Sequence, residues 1–581
     1  MSFFALFRWF PAFLMLVLMA CAVAPAAEQV DEAPIIDPMD IHHPVAGRSG
    51  MVVSQSMIAS EVGADILARG GNAVDAAVAV GFALAVTLPR AGNLGGGGFM
   101  LVYLAEEESV FAFDYREMAP AAATRDMYLD EEGEVDLKRV RFSHKSAGVP
   151  GTVAGLYRVH QRFGTLKWSE LVVPAMKLAN DGFVVGYDFS GSLKRRQDRL
   201  TRNPATRAAF FKEGGVPYEA GELFKQKDLA WTLKHIARSG PAGFYEGPVA
   251  RKIVADMQAN DGLITMDDLA NYRVVEREPV RGTYRGYEIV SMPPPSSGGV
   301  HVIQMLNVLE NFPVPEMGAG SADFLHLLAE TMRLAYADRS EHLGDPDFYD
   351  VPVDWLTSKK YARELASGID MGKARDSAEV NPGVPAPGES FDTTHFSVMD
   401  KSGNMVSSTY TLNFSYGSGL TVAGAGFLLN NEMDDFSAKP GEPNAFGLLG
   451  GEANAVEAGK RPLSSMTPTL VFKGGEPFLA TGSPGGSRII TAVLQLLVNV
   501  IDHGMNIADA THQPRIHHQW LPDILQHEGA VNPDTLKILA SRGHDLRQSS
   551  ALGALETLSY RNGIFYGCSD PRRPDSGAVA P

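Results

Sequence analysis

The sequence lacks the residue patterns that most often identify a hydrolase, so its candidate chemistry has to be sought in other side chains. It contains no Gly-x-Ser-x-Gly sequence and no His-Glu-x-x-His zinc motif. The adjacent His517 and His518 suggest metal ligation, but neighbouring side chains on an extended segment point to opposite faces, which favours ordinary packing or solvent exposure. The pair Gly485-Gly486 precedes an apolar run that predicts a helix, and the free N–H groups of such a helix start can stabilise a negative oxygen.

The segment that begins at Asp392-Thr393-Thr394-His395 is the most informative part of the chain. Here the sequence resembles the γ-glutamyltransferase family, and matching motifs follow in the family's order along most of the chain. They are GNLGGGGFML, DYREMAP, HKSAGVPGTVAGL, MPPPSSGGVH, FDTTHFSVMDKSGNMVSSTYTLNFSYGSG, LLNNEMDDFSAKPG, KRPLSSMTPTL, TGSPGGSR, PRIHHQWLPD and CSDPRR.

This resemblance implies an N-terminal-nucleophile hydrolase, which is an α/β, four-layer αββα sandwich. Such proteins are made as precursors that cleave themselves, and the two resulting subunits form the sandwich jointly. Cleavage maps onto the Asp392-Thr393 bond. We therefore expect a large subunit 28–392 and a small, catalytic subunit 393–581, which stay together as a heterodimer.

A physical argument explains why such a protein has to be cut. A threonine hydroxyl is a poor nucleophile until a base accepts its proton. A free α-amine has a pKa of roughly 7.7–8.0 and can act as that base, whereas the same nitrogen in a peptide bond cannot. The resemblance makes Thr393 the nucleophile and Thr411 the residue that hydrogen-bonds it. From the sequence alone, the alternative for Thr411 is a β-branched strand residue with no catalytic role.

The family's substrate carries an α-carboxylate and an α-ammonium group, so its site needs fixed charges of both signs. By motif match, Arg116 holds the carboxylate with help from Ser464 and Ser465, since guanidinium groups bind carboxylates through two hydrogen bonds. The ammonium group is expected to be held by Glu432, Asp435 and Asn413. The neighbouring Asp434 is expected to point elsewhere.

The same resemblance assigns two further elements of the site. The N–H groups of Gly485 and Gly486 are expected to stabilise the oxyanion of the tetrahedral intermediate, an effect worth roughly 3–4 kcal/mol per donor in comparable enzymes. The loop 440–454 matches a lid over the substrate pocket. Some family members have a lid tyrosine that bonds the pocket asparagine, but this chain has Phe446, which can only cover the pocket.

Hydrophobic patterning predicts the elements that position these residues. Helices are expected over 57–69, 73–88 and 487–502, and the second is apolar enough to be buried against a sheet. Paired strands are expected at 99–103 with 109–113, 395–399 with 405–412, and 468–472 with 478–482. The region 143–390 is predicted to be mostly helical. Helices on both sides of strand pairs fit the four-layer sandwich.

Composition and the chain start restrict where the protein works. A net charge of -17 disfavours nucleic acid as a partner. Residues 1–27 have the layout of a secretory signal peptide, and their apolar run is too short for a membrane span. We therefore expect an exported protein, periplasmic or secreted. The run ending at Cys21 also resembles a lipoprotein box, which leaves a lipid-anchored form as an alternative.

The sequence thus predicts a γ-glutamyltransferase and glutathione hydrolase that acts on small molecules, with water, amino acids or peptides as acceptors. It predicts no cofactor and no metal. One alternative is an acylase of the same fold that removes glutaryl side chains from β-lactams, although Glu432 and Asp435 argue against it because a glutaryl group has no ammonium. Another is an unprocessed protein that only binds γ-glutamyl compounds.

Overall fold

The computed structural model describes residues 40–380, 393–442, 444 and 448–581. The predicted signal peptide with Cys21, the cleavage residue Asp392 and the lid residue Phe446 lie outside the described residues. Backbone contacts divide the chain into the units Met1–Asp40 and Ile41–Pro581. Every helix and strand among the described residues belongs to the second unit.

Helices make up much of the described chain. The α-helices are α1 Met57–Ala68, α2 Ala73–Thr87, α3 Leu137–Phe142, α4 Thr152–Phe163, α5 Trp168–Asp181, α6 Tyr187–Leu200, α7 Pro204–Phe210, α8 Lys227–Ser239, α9 Ala242–Tyr245, α10 Gly247–Ala259, α11 Met266–Asn271, α12 Gly298–Leu309, α13 Val314–Met317, α14 Ala322–His342, α15 Val353–Leu356, α16 Lys359–Ser367, α17 Arg488–Ile501, α18 Ile507–His512 and α19 Pro533–Ser541.

Among the described residues, nine strands precede the segment 381–392 and ten follow it. They are β1 Val45–Gly47, β2 Gly50–Ser54, β3 Gly97–Leu104, β4 Ser109–Tyr115, β5 Phe183–Val184, β6 Leu223–Phe224, β7 Val275–Arg277, β8 Val280–Tyr284, β9 Tyr287–Ser291, β10 Thr393–Asp400, β11 Met405–Thr411, β12 Thr469–Lys473, β13 Glu476–Thr481, β14 Ile516–His517, β15 Leu525–His527, β16 Leu546–Gln548, β17 Glu556–Arg561, β18 Ile564–Ser569 and β19 Gly577–Val579.

Two seven-stranded antiparallel sheets form the centre of the fold. The first has the order β1-β18-β17-β13-β12-β9-β8 and the second has the order β19-β2-β10-β11-β3-β4-β7. Every one of these neighbouring pairs is antiparallel. The three strand pairs predicted from sequence are all present in these sheets as β3/β4, β10/β11 and β12/β13.

The buried side chains form three layers of core, which confirms the predicted four-layer arrangement. One core lies between the second sheet and helices that include α1, α2, α4 and α5. A second lies between the facing sides of the two sheets, for example at Phe99 and Leu470. The third lies between the first sheet and helices that include α12, α14 and α17. The order is therefore helix, sheet, sheet, helix.

Helix α2 shows why one predicted element forms where it does. All fifteen of its residues are buried, as its continuous apolar sequence predicts. Its start is fixed by a capping box in which Asn72 accepts from the Asp75 N–H and the Asp75 carboxylate accepts from the Asn72 N–H. The helix packs on β10 and β11, so it supports the strand pair that carries the candidate nucleophile.

Both sheets mix strands from the two sides of the segment 381–392. In the first sheet, β1, β8 and β9 precede the segment and β12, β13, β17 and β18 follow it. In the second sheet, β10, β11 and β19 follow the segment and the other four strands precede it. A cut in this segment would therefore leave two polypeptides that share both sheets. Among the described residues, no helix is both long enough and apolar enough to cross a membrane.

Candidate active site

Most of the residues predicted to do chemistry meet in one pocket. It contains about 320 Å³ of space that no atom fills, part of which is open to solvent. Its lining includes nine of the predicted site residues, namely Arg116, Thr393, Thr411, Asn413, Glu432, Asp435, Ser464, Ser465 and Gly486. The remaining lining residues are Arg339, Leu448, Leu463, Met466 and Ile489. The pocket is thus lined by charged, polar and apolar side chains.

The pairing of β10 with β11 sets the position of the candidate nucleophile. Thr393 is the first residue of β10, and its Cα partner in the antiparallel register is Thr411 at the end of β11. The Thr393 Oγ1 donates to the Thr411 Oγ1 over 3.4 Å, and the Asn413 N–H donates to the same Thr411 oxygen over 2.8 Å. Thr411 is therefore held by the backbone that follows it while it contacts Thr393.

Polar residues on the same face of β10 hold the strand against its neighbours. Alternate residues of a strand share a face, so Thr393, His395 and Ser397 lie together. The His395 ring bonds the Thr409 hydroxyl over 2.8 Å and the Ser397 hydroxyl over 3.0 Å. Burial lowers the pKa of His395 to about 3, so the ring is neutral and serves as a fixed hydrogen-bonding group.

Arg116 pairs with acidic residues of the pocket itself. It directly follows β4 and lies fully buried, with one guanidinium nitrogen on Glu432 and another on Asp435. These two carboxylates come from the short 3₁₀ turn Glu432–Asp435. The sequence assigned Arg116 and the acidic pair to opposite ends of a substrate. In the structure they pair with each other, which lowers the cost of placing these charges in the protein interior.

A third carboxylate, that of Glu117, lies next to this ion-paired group. One of its oxygens lies 3.7 Å from the Arg116 guanidinium, and neither oxygen has a hydrogen-bond partner among the described residues. Burial raises the pKa of Glu117 to about 7. Burial likewise raises the pKa of Glu432 and of Asp435, although Arg116 opposes the change in both. Because three carboxylates surround one arginine, their mutual repulsion favours the protonated form of a carboxyl group in this cluster.

The sequence analysis did not single out Arg339, which also lines the pocket. It lies in α14, is 5% exposed, and donates to the Ser465 hydroxyl over 3.2 Å and to the Ser297 hydroxyl over 2.9 Å. Burial lowers the pKa of Arg339 to about 10, which still leaves the group charged at neutral pH. The pocket therefore has a second cation beside the serines predicted to bind a carboxylate.

The predicted oxyanion site lies at the start of α17. Gly485 and Gly486 have φ values of +137° and +57°, a left-handed region that favours glycine, and the helix follows at Arg488. Among the described residues, the N–H of neither glycine donates a hydrogen bond to protein. Gly486 lines the pocket whereas Gly485 is not among the lining residues. The helix start thus has N–H groups without a protein partner among the described residues, and Gly486 lines the same pocket as Thr393.

Of the remaining predicted residues, Asn413 and the lid loop reach the pocket, whereas Asp434 does not. Asn413 lines the pocket with a φ of +73°, and its side chain donates to the Asn431 carbonyl over 2.9 Å. Leu448 brings the predicted lid loop to the pocket. Asp434 turns away, as expected, and pairs with Arg141 over 3.0 Å.

The adjacent histidines do not form a metal site with each other. His517 and His518 are both buried, as part of the protein core. His517 bonds the Thr491 hydroxyl over 2.9 Å, and His518 bonds the Asp523 carboxylate over 3.0 Å. They therefore point to different partners, as alternation along an extended segment predicts.

Comparison with known proteins relates the chain to one protein family. The family model described as Gamma-glutamyltranspeptidase matches residues 59–580. The glutathione hydrolase proenzyme of Escherichia coli (strain K12) is 51% identical over 572 residues, which cover 97% of this chain and 98% of that protein.

Solved structures agree with the fold. Cephalosporin acylase from Bacillus halodurans aligns with a TM-score of 0.81 at 26% identity, over 95% of this chain and 99% of that chain. Helicobacter pylori gamma-glutamyltranspeptidase aligns with a TM-score of 0.57 at 46% identity, over 59% of this chain and 97% of that chain. The predicted N-terminal-nucleophile hydrolase fold is confirmed.

The buried carboxylate Glu117 predicts a pH-dependent stability. Its pKa is raised from 4.5 to about 7, so its contribution to stability is complete below about pH 4.5 and is lost as the pH rises through about 7. Glu117→Gln removes a group that must otherwise ionise in a buried place. The free energy of unfolding of the variant, relative to the parent protein, should therefore increase between about pH 5 and about pH 8 in urea titrations.

Glu132→Gln makes the same substitution at an exposed position and serves as the control for the substitution itself. A difference for Glu117→Gln that stays constant with pH would show that Glu117 ionises in the folded protein as it does in the unfolded chain.

Proposed function

The chain belongs to the gamma-glutamyltranspeptidase family, and from this premise we propose that it cleaves itself at the Asp392-Thr393 bond and then transfers γ-glutamyl groups. The donor is glutathione or another γ-glutamyl compound, and the acceptor is water, an amino acid or a peptide. The observation that carries the proposal is the contact between the hydroxyls of Thr393 and Thr411 inside a pocket with buried charges of both signs.

Self-cleavage uses the hydroxyl of Thr393 before any free amine exists. The hydroxyl attacks the Asp392 carbonyl, and the peptide nitrogen of Thr393 leaves as its α-amine while an ester joins the two residues. Water then hydrolyses that ester and frees the hydroxyl. Thr411 supports the attack because its oxygen accepts a hydrogen bond from Thr393 Oγ1.

Turnover repeats this chemistry with the substrate as acyl donor. The new α-amine of Thr393 accepts the hydroxyl proton as Oγ1 attacks the γ-carbonyl of the donor, and the resulting ammonium gives the proton to the leaving amine. A γ-glutamyl ester on Thr393 remains, and water or an acceptor amine releases it. The N–H groups of Gly485 and Gly486 stabilise the tetrahedral intermediates, in agreement with the position of Gly486 in the pocket lining.

Substrate recognition requires the buried ion pairs to exchange partners. The α-carboxylate of the donor replaces Glu432 and Asp435 as a partner of Arg116 and also contacts Ser464 and Ser465, with Arg339 adding positive charge behind Ser465. The two released carboxylates then take the α-ammonium group together with Asn413. Because a γ-glutamyl group brings one charge of each sign, the exchange gives Arg116 an anionic partner and gives the two carboxylates a shared cationic one.

The processed enzyme is proposed to consist of a large subunit 28–392 and a small subunit 393–581. The mixing of strands from both parts in each sheet supports a lasting heterodimer.

The loop 440–454 serves as a lid, with Leu448 at the pocket, and Phe446 is proposed to cover the pocket without hydrogen bonding. Residues 1–27 direct export to the periplasm or the medium, whereas attachment of lipid at Cys21 has no support beyond the local sequence.

The same fold occurs in a cephalosporin acylase, so a β-lactam side-chain acylase is the second candidate. Glu432 and Asp435 favour a γ-glutamyl donor, because a glutaryl group would displace them from Arg116 without offering an ammonium in return. Two carboxylates would then be buried without a cation, which is costly.

Replacing the nucleophile tests the proposed chemistry. Thr393→Ala should leave the chain uncut on a denaturing gel and lower turnover of a γ-glutamyl anilide by at least about a thousandfold, since no hydroxyl remains to attack. Thr394→Val is the matched control, because Thr394 is buried, and its hydroxyl has no partner among the described residues. Processing and turnover in the Thr393 variant would contradict the assignment.

Substrate selectivity tests the role of the acidic pair. Asp435→Asn keeps the shape of the side chain but weakens attraction for an ammonium group, so the ratio of kcat/KM for γ-glutamyl over glutaryl anilide should fall by about 10- to 100-fold. Asp434→Asn changes the adjacent residue, which pairs with Arg141 outside the pocket, and should leave the ratio unchanged. Equal ratios in the parent protein and in both variants would show that Asp435 does not recognise the ammonium group.

A further inference from the structure

A second cluster of chemically active side chains lies outside the pocket. His326 and Glu330 are four residues apart on α14 and therefore share one face of that helix. His544 approaches them from the loop between α19 and β16. The ligand atoms of the three residues all lie within 4.8 Å of one another, and the residues are 0%, 2% and 6% exposed. None of them lines the catalytic pocket.

Hydrogen bonds hold the His326 ring in a form that can bind a metal. The Nε2 of His326 lies 2.8 Å from the Asp370 carbonyl, which can only accept, so Nε2 carries the proton and Nδ1 is left with its lone pair. That Nδ1 accepts a hydrogen bond from His544 Nε2 over 2.8 Å, and metal binding between the two rings would release this Nε2 proton. Imidazoles that bind metals are usually oriented by such an outer bond to a carbonyl.

Unfilled hydrogen-bonding capacity in the cluster also points to a ligand. The Nδ1 of His544 is buried and has no partner among the described residues. The Oε2 of Glu330 makes only a long contact of 3.4 Å with the Arg375 N–H, while Oε1 is paired with Arg333. Buried polar atoms of this kind are normally satisfied, so the cluster has capacity left for a bound group.

The ligand atoms of the cluster indicate which kind of metal would bind there. Two imidazole nitrogens and one carboxylate oxygen suit zinc, whereas calcium and magnesium prefer oxygen ligands alone. Tetrahedral zinc with bonds of about 2.0–2.1 Å holds its ligand atoms about 3.3 Å apart, so the two rings would separate by about half an ångström. Burial lowers the pKa of both histidines, which keeps the rings neutral and able to bind.

Nearby cations do not prevent binding, because most have anionic partners. Arg333 pairs with Asp523 as well as with Glu330, and Arg542 pairs with Asp323. Arg375 is turned to the Gly368 carbonyl. Glu330 can therefore shift from Arg333 towards a metal while Asp523 still balances the guanidinium charge.

We propose that His326, Glu330 and His544 bind one zinc ion that joins the parts of the chain on either side of residues 381–392. The first two residues precede this segment and His544 follows it. The neighbouring residues also connect the two parts, since Ala374 N–H donates to the Arg542 carbonyl over 2.8 Å and Ser377 N–H donates to Asp523 over 2.8 Å. The ion would fasten the end of the first part to the second.

Zinc binding does not depend on the proposed cleavage, although its role as a link between subunits does. The test uses tag-free, full-length protein that has been dialysed against a chelator and then titrated with zinc chloride in a calorimeter. We expect one equivalent to bind to the parent protein and to uncut Thr393→Ala, and a rise in unfolding temperature for both. Cobalt(II) at the same site should give the visible absorption of a tetrahedral ion.

Variants locate the site. His544→Ala and Glu330→Gln should each weaken zinc binding by about a hundredfold or more, because each loses a direct ligand. His342→Ala changes a histidine of the same helix outside the cluster and should bind as the parent does. Absence of stoichiometric binding to the parent protein, or equal binding by the parent and both ligand variants, would overturn the proposal.

Discussion

The register between β10 and β11 is the constraint on which the rest of the site depends. It places Thr393 opposite Thr411, so that their hydroxyl oxygens lie 3.4 Å apart at the end of two central strands. Antiparallel side chains alternate between faces, and a slip of one residue would turn Thr393 away from the pocket. Helix α2 on one face and the first sheet on the other leave little freedom for such a slip.

A second constraint is the cost of keeping charges in the interior. Arg116 and Glu432 are buried, the Asp435 side chain is 12% exposed, and their pairing lowers the cost of placing these charges in the interior. A zwitterionic group offers a new partner to the cation and to the anions of this cluster. The chemistry of the proposed substrate and the electrostatics of the pocket therefore follow from the same arrangement, and the raised pKa of Glu117 limits the negative charge beside it.

Local sequence patterns predicted more of the fold than of the site. The buried helix α2 and the three strand pairs follow from apolar periodicity and turn residues close in the chain. Arg339 was missed because a helix sequence does not reveal that one arginine contacts Ser465, which lies 126 residues away. The pairing of Arg116 with Glu432, 316 residues apart, likewise depends on how distant elements pack, which no local pattern encodes.

The central claim is that breaking the chain before Thr393 creates the catalytic amine. The most direct measurement is the intact mass of a fully active sample after denaturation. We expect two polypeptides, the smaller beginning at Thr393, and no remaining uncut chain. Full activity in a sample whose mass shows a single polypeptide continuous through residues 392 and 393 would contradict it.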